Sequence, residues 1–506
     1  MPTITSTRLI VGMEVHVELA TRTKMFTRIA NVAHPDNYDA APNTLIDSVV
    51  VALPGSLPVM NRCAVEMSML VGLSLGCSIP AFSKWDRKNY YYPDLPKGYQ
   101  ISQYDLPLCV GGELEIPDED GTTVTIGIIR AHLEEDTGKL SHELPGGQEY
   151  SGSLVDLNRA GTPLLEIVTA PDLQSAHQAV TFGQELRKIC RTLKVTEGIM
   201  QRGHMRFEPN VNVIITTDDG VEHATPIVEM KNLNSFRAVH GAIEYEATRQ
   251  VEQWAKDGIE MGPGAKATRG WDEQKNVSVL QREKEDAHDY RYFPDPDLVP
   301  VIVDEAWVEE VRSQLPELPI ARSHRYQLAY GLDGKDAAAL TDEIECAQFY
   351  EACILACQEE EGCPDPRASG GLCAKWILNA GAKRANEQGC AVWLLGITPE
   401  QLAGIIAMRQ TNAIGSSAAD TLFGNLCGVD GSALAVAEEA GLLQVTDTAA
   451  LDAWIDAATV AHPQAAEDFA AGKDAAAGRL IGDVMRASGG QADAAGVRAR
   501  LLERLR

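Results

Sequence analysis

Residues 125–136 run from β-branched and apolar positions (Ile126, Ile128, Ile129) through Arg130, Ala131, His132 and Leu133 into three consecutive acids, Glu134, Glu135 and Asp136. Adjacent carboxylates repel one another, and burying them beside a sheet is costly unless a cation is supplied. A divalent ion is the simplest remedy. Hard oxygen ligands favour Mg2+, Mn2+ or Ca2+. Mg2+ held on a protein points in turn to nucleotide phosphate chemistry.

The chain has 506 residues, enough for two to four domains, and is 45% hydrophobic, which supplies ample material for cores. No run of about 18 apolar residues occurs, so no membrane span is expected. The first six residues lack the charged and apolar regions of a secretory signal. Eleven cysteines are scattered without a C-x-x-C pair. Cys353 and Cys357 lie one helical turn apart and read as two thiols on a buried helix face rather than as half of a metal site. Reduced thiols fit a cytoplasmic location. The net charge of −28 argues against a broad nucleic-acid footprint, so RNA binding would need a local basic surface or a partner chain.

Up to about residue 300 the pattern is α+β. Period-two alternation predicts strands over 9–19, 123–129, 205–215 and 227–231, and 3.6-residue spacing predicts helices over 61–75 and 175–193. Asp172 and Ser175 are N-cap candidates for the second helix. After the Pro-rich run at 294–300 the chain becomes rich in Ala, Leu and Glu, with helical periodicity. A further boundary lies near Ile397-Thr398-Pro399, where Thr398 is placed to cap a new helix. The expected organisation is therefore 1–300, an α+β domain, then 301–398 and 399–506, both all-α.

Alternation places Glu14, His16 and Glu18 on one face of the first strand and Met13, Val15, Val17 and Leu19 on the other. The same logic groups Arg130, His132 and Glu134, with Leu133 and Glu135 opposite. Both glutamates can serve one site only if the strand bulges or ends there. Arg206, Glu208, Asn210 and Asn212 share a face, and Pro209 is expected at an edge or a bulge. Glu229 and Lys231 add to a polar face. Acids from four strands can thus converge on one sheet surface, as a metal–nucleotide site requires. Residues 84–99 bring Arg87, Lys88 and Lys97 together with Tyr90, Tyr91, Tyr92 and Tyr99, cations for phosphates and rings for a base. There is no G-x-x-x-x-G-K-[ST] and no G-x-G-x-x-G after a strand, which excludes Walker-type and Rossmann sites. No G-x-S-x-G and no amidase-like Gly-Ser run is present, so a reaction consuming ammonia would draw it from another chain.

Residues 11–19, 86–90, 100–105, 132–139, 153–168, 229–236 and 289–294, with 466–473 and 478–488 in the tail, together identify a resemblance. The chain resembles the GatB family, the B subunits of the bacterial and organellar tRNA-dependent amidotransferases, over nearly its whole length. The resemblance implies a cradle domain with an antiparallel sheet, related in fold to glutamine synthetase and guanido kinases. A helical domain and a helical tail that contacts tRNA would follow. It implies a ligase that uses ATP and Mg2+ to phosphorylate the side-chain carboxylate on misacylated Glu-tRNA(Gln), Asp-tRNA(Asn) or both. Ammonia then displaces the phosphate. An A subunit would release that ammonia from glutamine, and a small C subunit would complete a heterotrimer. Carried over by motif, Glu14, His16, Glu135 and Glu229 are catalytic and metal-site residues, with Glu134 and Glu208 as further metal ligands. Arg87, Lys88, Arg206 and Lys231 are candidates for neutralising phosphate charge. There are two departures from the family pattern. The two Cys pairs that bind zinc in many relatives are missing from 25–55, so no zinc is expected. Glu208 stands where relatives usually have Asp.

Overall fold

The computed structural model describes residues 3–144, 146–283, 290–444, 448–489 and 491–505. Asp289, which opens one of the family-like runs, lies outside them. Two compact units are present, Met1–Leu318 and Pro319–Arg506. The first is mixed α and β; the second is helical.

The first unit is built on a large sheet. Ten of its thirteen described strands form its main path: β1 (Ile4–Glu18), β2 (Asp86–Asn89), β3 (Tyr99–Ser102), β4 (Thr123–Glu135), β5 (Pro163–Thr169), β6 (Met205–Thr217), β7 (Val228–Lys231), β8 (Ala267–Asp272), β9 (Val277–Glu283) and β10 (Phe293–Pro294). They lie in the order β9-β8-β7-β6-β1-β5-β4-β3-β2-β10. Among the described residues, only β7 and β8 pair in parallel along this path. The predicted strands all form, and β1 and β4 run longer than expected because the alternation continues into their polar ends.

Three long helices pack in the same unit: α1 (Arg62–Ser74), α2 (Ala176–Thr192) and α3 (Phe236–Asp257). Each begins at a side-chain cap. Asn61 Oδ1 accepts from Cys63 N at 3.0 Å, Ser175 Oγ from Gln178 N at 3.0 Å, and Ser235 Oγ from Ala238 N at 3.1 Å. Asp172 does not cap α2; its Oδ2 instead accepts from Gly127 N. The helix-covered face of the sheet is apolar. Met13, Val15, Val17, Leu133, Leu165, Ile167 and Phe207 are all buried. Phe207 meets Phe236 of α3 with ring centroids 5.3 Å apart. A Cβ on Gly183 of α2 would come within 2.8 Å of the Phe236 ring and 3.0 Å of Phe207, so this close approach depends on glycine.

Pro209 lies in β6 between β1 and β7, not at an edge. It stands opposite Met13, whose N–H points away to Thr169 Oγ1. The missing proline N–H therefore faces β7, where the registered pairs are Asn210–Glu229 and Val211–Val228. The proline sits just past the end of that short ladder and removes no bond from it.

In the second unit, Thr398 forms a capping box with Gln401 at the start of the helix Pro399–Gln410. The thiols of Cys353 and Cys357 are buried within the helix Ile344–Glu359, packed among Tyr326, Tyr350 and Ile354. A separate apolar cluster around Phe469, Leu480 and Val484 organises the last helices.

Candidate active site

The sheet's other face is a polar stripe, and register explains it. Residues directly opposite each other in antiparallel strands project to the same side. Glu14 stands opposite Glu208, and His16 opposite both Arg206 and Glu166. Glu166 stands opposite His132, and Asn210 opposite Glu229. Glu134 faces Ser102, and Lys88 faces Gln100. Seven neighbouring strands, from β7 to β2, therefore deliver one continuous row of acids, imidazoles and a lysine.

Within this row two groups bring three ligand atoms within 4.8 Å of one another: Glu14, Glu208 and Glu229 form one, and His16, Glu134 and Glu166 the other. In the first group, Lys231 Nζ lies 2.6 Å from Glu208 Oε2 and 3.1 Å from Glu229 Oε1. Asn210 Nδ2 donates to Glu14 Oε1 at 2.9 Å, and Thr268 Oγ1 donates to Glu229 Oε2 at 3.0 Å. Burial, followed by the charge of Glu166, raises the Glu14 carboxyl above its usual range. In the second group, His16 Nε2 and His132 Nε2 each lie 3.4 Å from Glu166 Oε2. Ser102 Oγ donates to Glu134 Oε1 at 2.6 Å and Gln100 Nε2 to Glu134 Oε2 at 2.9 Å.

The electrostatics follow from crowding. Burial alone would lower the His16 pKa, but the hydrogen bond and charge of Glu166, with Glu208, outweigh it and push it to about 9. Burial would raise Glu134, but the charge of Lys88 overcomes this and holds it down. Burial of Lys88 is likewise outweighed by Glu134, so its ammonium is held charged. Both donor sets suit a hard divalent ion: three carboxylates in one, two carboxylates and an imidazole in the other. The Nδ1 atoms of His16 and His132 and Oδ1 of Asn210 are buried without a hydrogen-bond partner, and a cation in the second group would ligate His16 by displacing the proton that its carboxylate neighbours hold there.

Other nominated residues fall elsewhere. Glu135 is not brought to either group. The one register shift against β5 lies at 128–130, and from Arg130 strand β4 is regular to its end, with Leu164 opposite Glu134 and Pro163 opposite Glu135, so the two glutamates point to opposite faces. The Glu135 carboxylate instead takes an ion pair from Lys97 and a hydrogen bond from Ile101 N at 3.0 Å. It lines a small cavity with Phe26, Val50 and Gly161. Arg87 also projects to the other face, bound to Asp295 at 2.8 Å and Asp297 at 3.0 Å and stacked over Tyr99. Arg206 lies on the polar face, but its Nη2 is 2.8 Å from Asp136 Oδ2 and its Nη1 is 3.3 Å from Glu18 Oε1. Of the nominated cations, Lys231 pairs directly with the first acid group, and Lys88 stands on the same polar face opposite Gln100, where the Glu134 charge acts on it.

The residue that sequence reasoning left without a role is Glu166. Its signal was present, a single acid in the apolar run Leu164-Leu165-Glu166-Ile167-Val168. That is the same anomaly that singled out the 134–136 acids. His132 was placed on the polar face but not nominated.

The arrangement defines a class: an open antiparallel sheet whose polar face gathers two carboxylate-rich, cation-seeking groups flanked by lysines. Comparison with known proteins specifies it further. Residues 9–309 match the GatB/GatE catalytic domain and residues 365–505 the GatB domain. The chain is 44% identical to the B subunit of the aspartyl/glutamyl-tRNA(Asn/Gln) amidotransferase of Thermomicrobium roseum, over 98% of this chain and 97% of the relative. It is 42% identical to the protein of the same name from Thioalkalivibrio sulfidiphilus, over 98% and 99% of the two chains. For that of Moorella thermoacetica the identity is 41%, over 98% and 99%. The chain belongs to the GatB family of amidotransferase B subunits.

Proposed function

We propose that the polar face is where a tRNA-dependent amidotransferase activates and amidates its substrate. A carboxylate oxygen of the glutamyl side chain on Glu-tRNA(Gln), or of the aspartyl side chain on Asp-tRNA(Asn), attacks the γ-phosphorus of ATP. ADP leaves, and an acyl phosphate remains. Ammonia then attacks the acyl carbon, phosphate departs, and the amide forms. The observation that carries this reading is the meeting of two three-ligand groups on one face, in a chain of this family.

Glu14, Glu208 and Glu229 would hold one Mg2+, and His16, Glu134 and Glu166 a second. Ions there would neutralise phosphate oxygens and the charge developing as the phosphoryl group transfers. The chain's own residues do the rest. Lys231 and Lys88 place positive charge at the two ends of the row, where phosphate oxygens can take it over. Glu166 orients His16 and His132 through one oxygen. Asp136 and Glu18 fix Arg206 beside His16, so that arginine acts as a strut. Glu135, on the other face, is paired with Lys97 and stands away from both acid groups.

The family role implies partner chains: an A subunit that frees ammonia from glutamine and a C subunit that ties the two together, acting in the cytoplasm. A kinship to glutamine synthetase and guanido kinases would fit a phosphoryl transfer carried out on an open sheet. A division of the chain at 300 and 398 would give the cradle, a helical domain and a tail that reads tRNA. No helix among the described residues is long and apolar enough to cross a membrane.

The test is cleavage of γ-labelled ATP by the assembled complex with Mg2+ and Glu-tRNA(Gln), with glutamine withheld. Formation of ADP that requires the misacylated tRNA and disappears in Glu229→Gln is expected, with the label passing to the aminoacyl end. Cleavage that ignores the tRNA would make the chain a small-molecule phosphotransferase. No cleavage by a complex that still binds tRNA would make it a scaffold.

A further inference from the structure

Beside the second acid group, the sheet's rim carries a connected set of tyrosines. Tyr104 and Tyr292 stack at 4.2 Å with an interplanar angle of 10°. Tyr292 meets Tyr290 edge-on at 6.1 Å, Tyr290 meets Tyr90 at 6.0 Å, and Tyr90 meets Tyr92 at 6.1 Å. The set leads to the acid group by two routes. Lys88, on the polar face opposite Gln100, has its Nζ 5.1 Å from the centroid of the Tyr290 ring. Tyr90 Oη donates to Gln100 Oε1 at 2.9 Å, and Gln100 Nε2 donates to Glu134 Oε2 at 2.9 Å.

The platform is built, not incidental. Asn89 N donates to Tyr290 O at 2.9 Å, and Asn89 Nδ2 donates to Arg291 O at 2.8 Å, which pins the 290–292 segment to β2. Arg291 holds a left-handed φ of 48°. That conformation is costly for a non-glycine residue, and here it turns the chain between the two tyrosines that meet edge-on. Yet the rings are not a core. Tyr92 is 59% exposed and Tyr104 53%. Aromatic rings held in fixed positions, the outer two exposed and an inner one against a cation, offer an unstacked nucleobase a surface to stack on.

We propose that this tyrosine surface seats the unpaired base at the 3′ end of the aminoacyl-tRNA, so that the esterified amino acid projects over Glu134 and Glu166. The proposal rests on the functional reading above and adds where the tRNA end docks. The adenine of a free nucleotide is ordinarily enclosed in a concave pocket that buries most of it. An open shelf whose outer rings, Tyr92 and Tyr104, are exposed at a rim instead suits a base arriving at the end of a single strand. The ester lies on the ribose of that same nucleotide, so a base on the shelf brings the amino acid to the one side of the platform where Gln100 and Lys88 lead to the acid group.

The test uses the assembled complex with Tyr92→Ala, Tyr104→Ala and the corresponding Phe variants. Loss of one stacking ring is expected to raise KM for misacylated tRNA roughly 10-fold. KM for ATP at saturating tRNA and glutaminase activity should stay unchanged, and Phe should restore the tRNA KM. In a second arm, uncharged tRNA and the same tRNA lacking its 3′-terminal nucleotide compete with the substrate. The wild-type complex should bind the truncated tRNA roughly 10-fold more weakly, and the Ala variants should bind the two equally. A rise in the KM for ATP alone would assign the shelf to the nucleotide and overturn the proposal. So would Ala variants that still discriminate between the two tRNAs. If the wild-type complex cleaves ATP without tRNA, the functional reading fails, and the competition arm still decides whether the shelf holds the tRNA end.

Discussion

Arg206 offers the sharpest physical test of how the polar face is assembled. Its guanidinium lies 2.8 Å from Asp136 and 3.3 Å from Glu18, two buried carboxylates. Burial and the neighbouring Asp136 charge push Glu18 up to about 8. Burial would raise Asp136 too, but Arg159 and Arg206 overcome it and hold it at about 2. Arg206→Met leaves both acids buried, with Arg159 Nε 3.6 Å from Asp136 as the remaining cation. Removing one partner of a buried ion pair costs about 3–5 kcal/mol. The cost depends on pH. Glu18 has a folded pKa above its ordinary value of 4.5, so its contribution to stability is full below that value and is lost as pH rises through about 8. Without Arg206 both acids titrate higher. At pH 6 the variant folds with Glu18 protonated and loses about 3 kcal/mol, whereas at pH 9 it must bury two anions or retain a proton and loses about 5 kcal/mol. Urea unfolding of the full-length chain at the two pH values measures both. A loss below about 1 kcal/mol, or one that does not change with pH, would refute the reasoning.

Other consequences follow from neighbouring residues. Glu135→Gln should leave divalent-ion stoichiometry unchanged in equilibrium dialysis, because its carboxylate faces away from both acid groups; loss of an ion would contradict the register. Lys24 is buried, with Nζ 2.7 Å from both Leu45 O and Ala160 O. Lys24→Met should destabilise the chain by about 2 kcal/mol and expose the 20–53 segment to limited proteolysis. Burial lowers the Lys24 pKa to about 8 from 10.5, so the unfolded chain binds the extra proton between those values and wild type should gain stability relative to the variant as pH rises across that window. His204 is lowered to about 4 from 6.5, by burial and then by Arg202. Its neutral form therefore contributes stability above pH 6.5 that is lost as pH falls through about 4, and denaturation curves of His204→Phe should lack that part of the acid slope.

The polar stripe was largely legible because period-two alternation is a rigid rule. Glu14, His16, Glu208 and Glu229 each sit on a strand whose other face is apolar, so burying the apolar side fixed where the acids point. Glu166 was harder, since a strand buried on both faces reads as a continuous apolar run and its single acid carries no periodic signal. Glu135 failed to join the groups for the same geometric reason that Glu134 succeeded: neighbours in a regular strand face opposite ways, and nothing in the sequence created the bulge that would have united them. The attachment of Arg206 to Asp136 and Glu18 was not legible, because it depends on which strands lie side by side. Pro209 misled because its tolerance in an interior strand depends on how short the β7 ladder is, and pairing length is not written in β6. The tyrosine shelf was half visible: residues 90–92 advertised it, but Tyr290 and Tyr292 join them only through the pairing of β10 with β2.

The two acid groups are the centre of the mechanism, and Mn2+ titration of the metal-stripped complex followed by electron paramagnetic resonance tests them. Two ions bound by this chain are expected. Glu166→Gln should abolish one and spare the other, and Glu229→Gln should do the reverse. A wild-type chain that binds no ion on this face, or variants that keep both, would contradict that assignment.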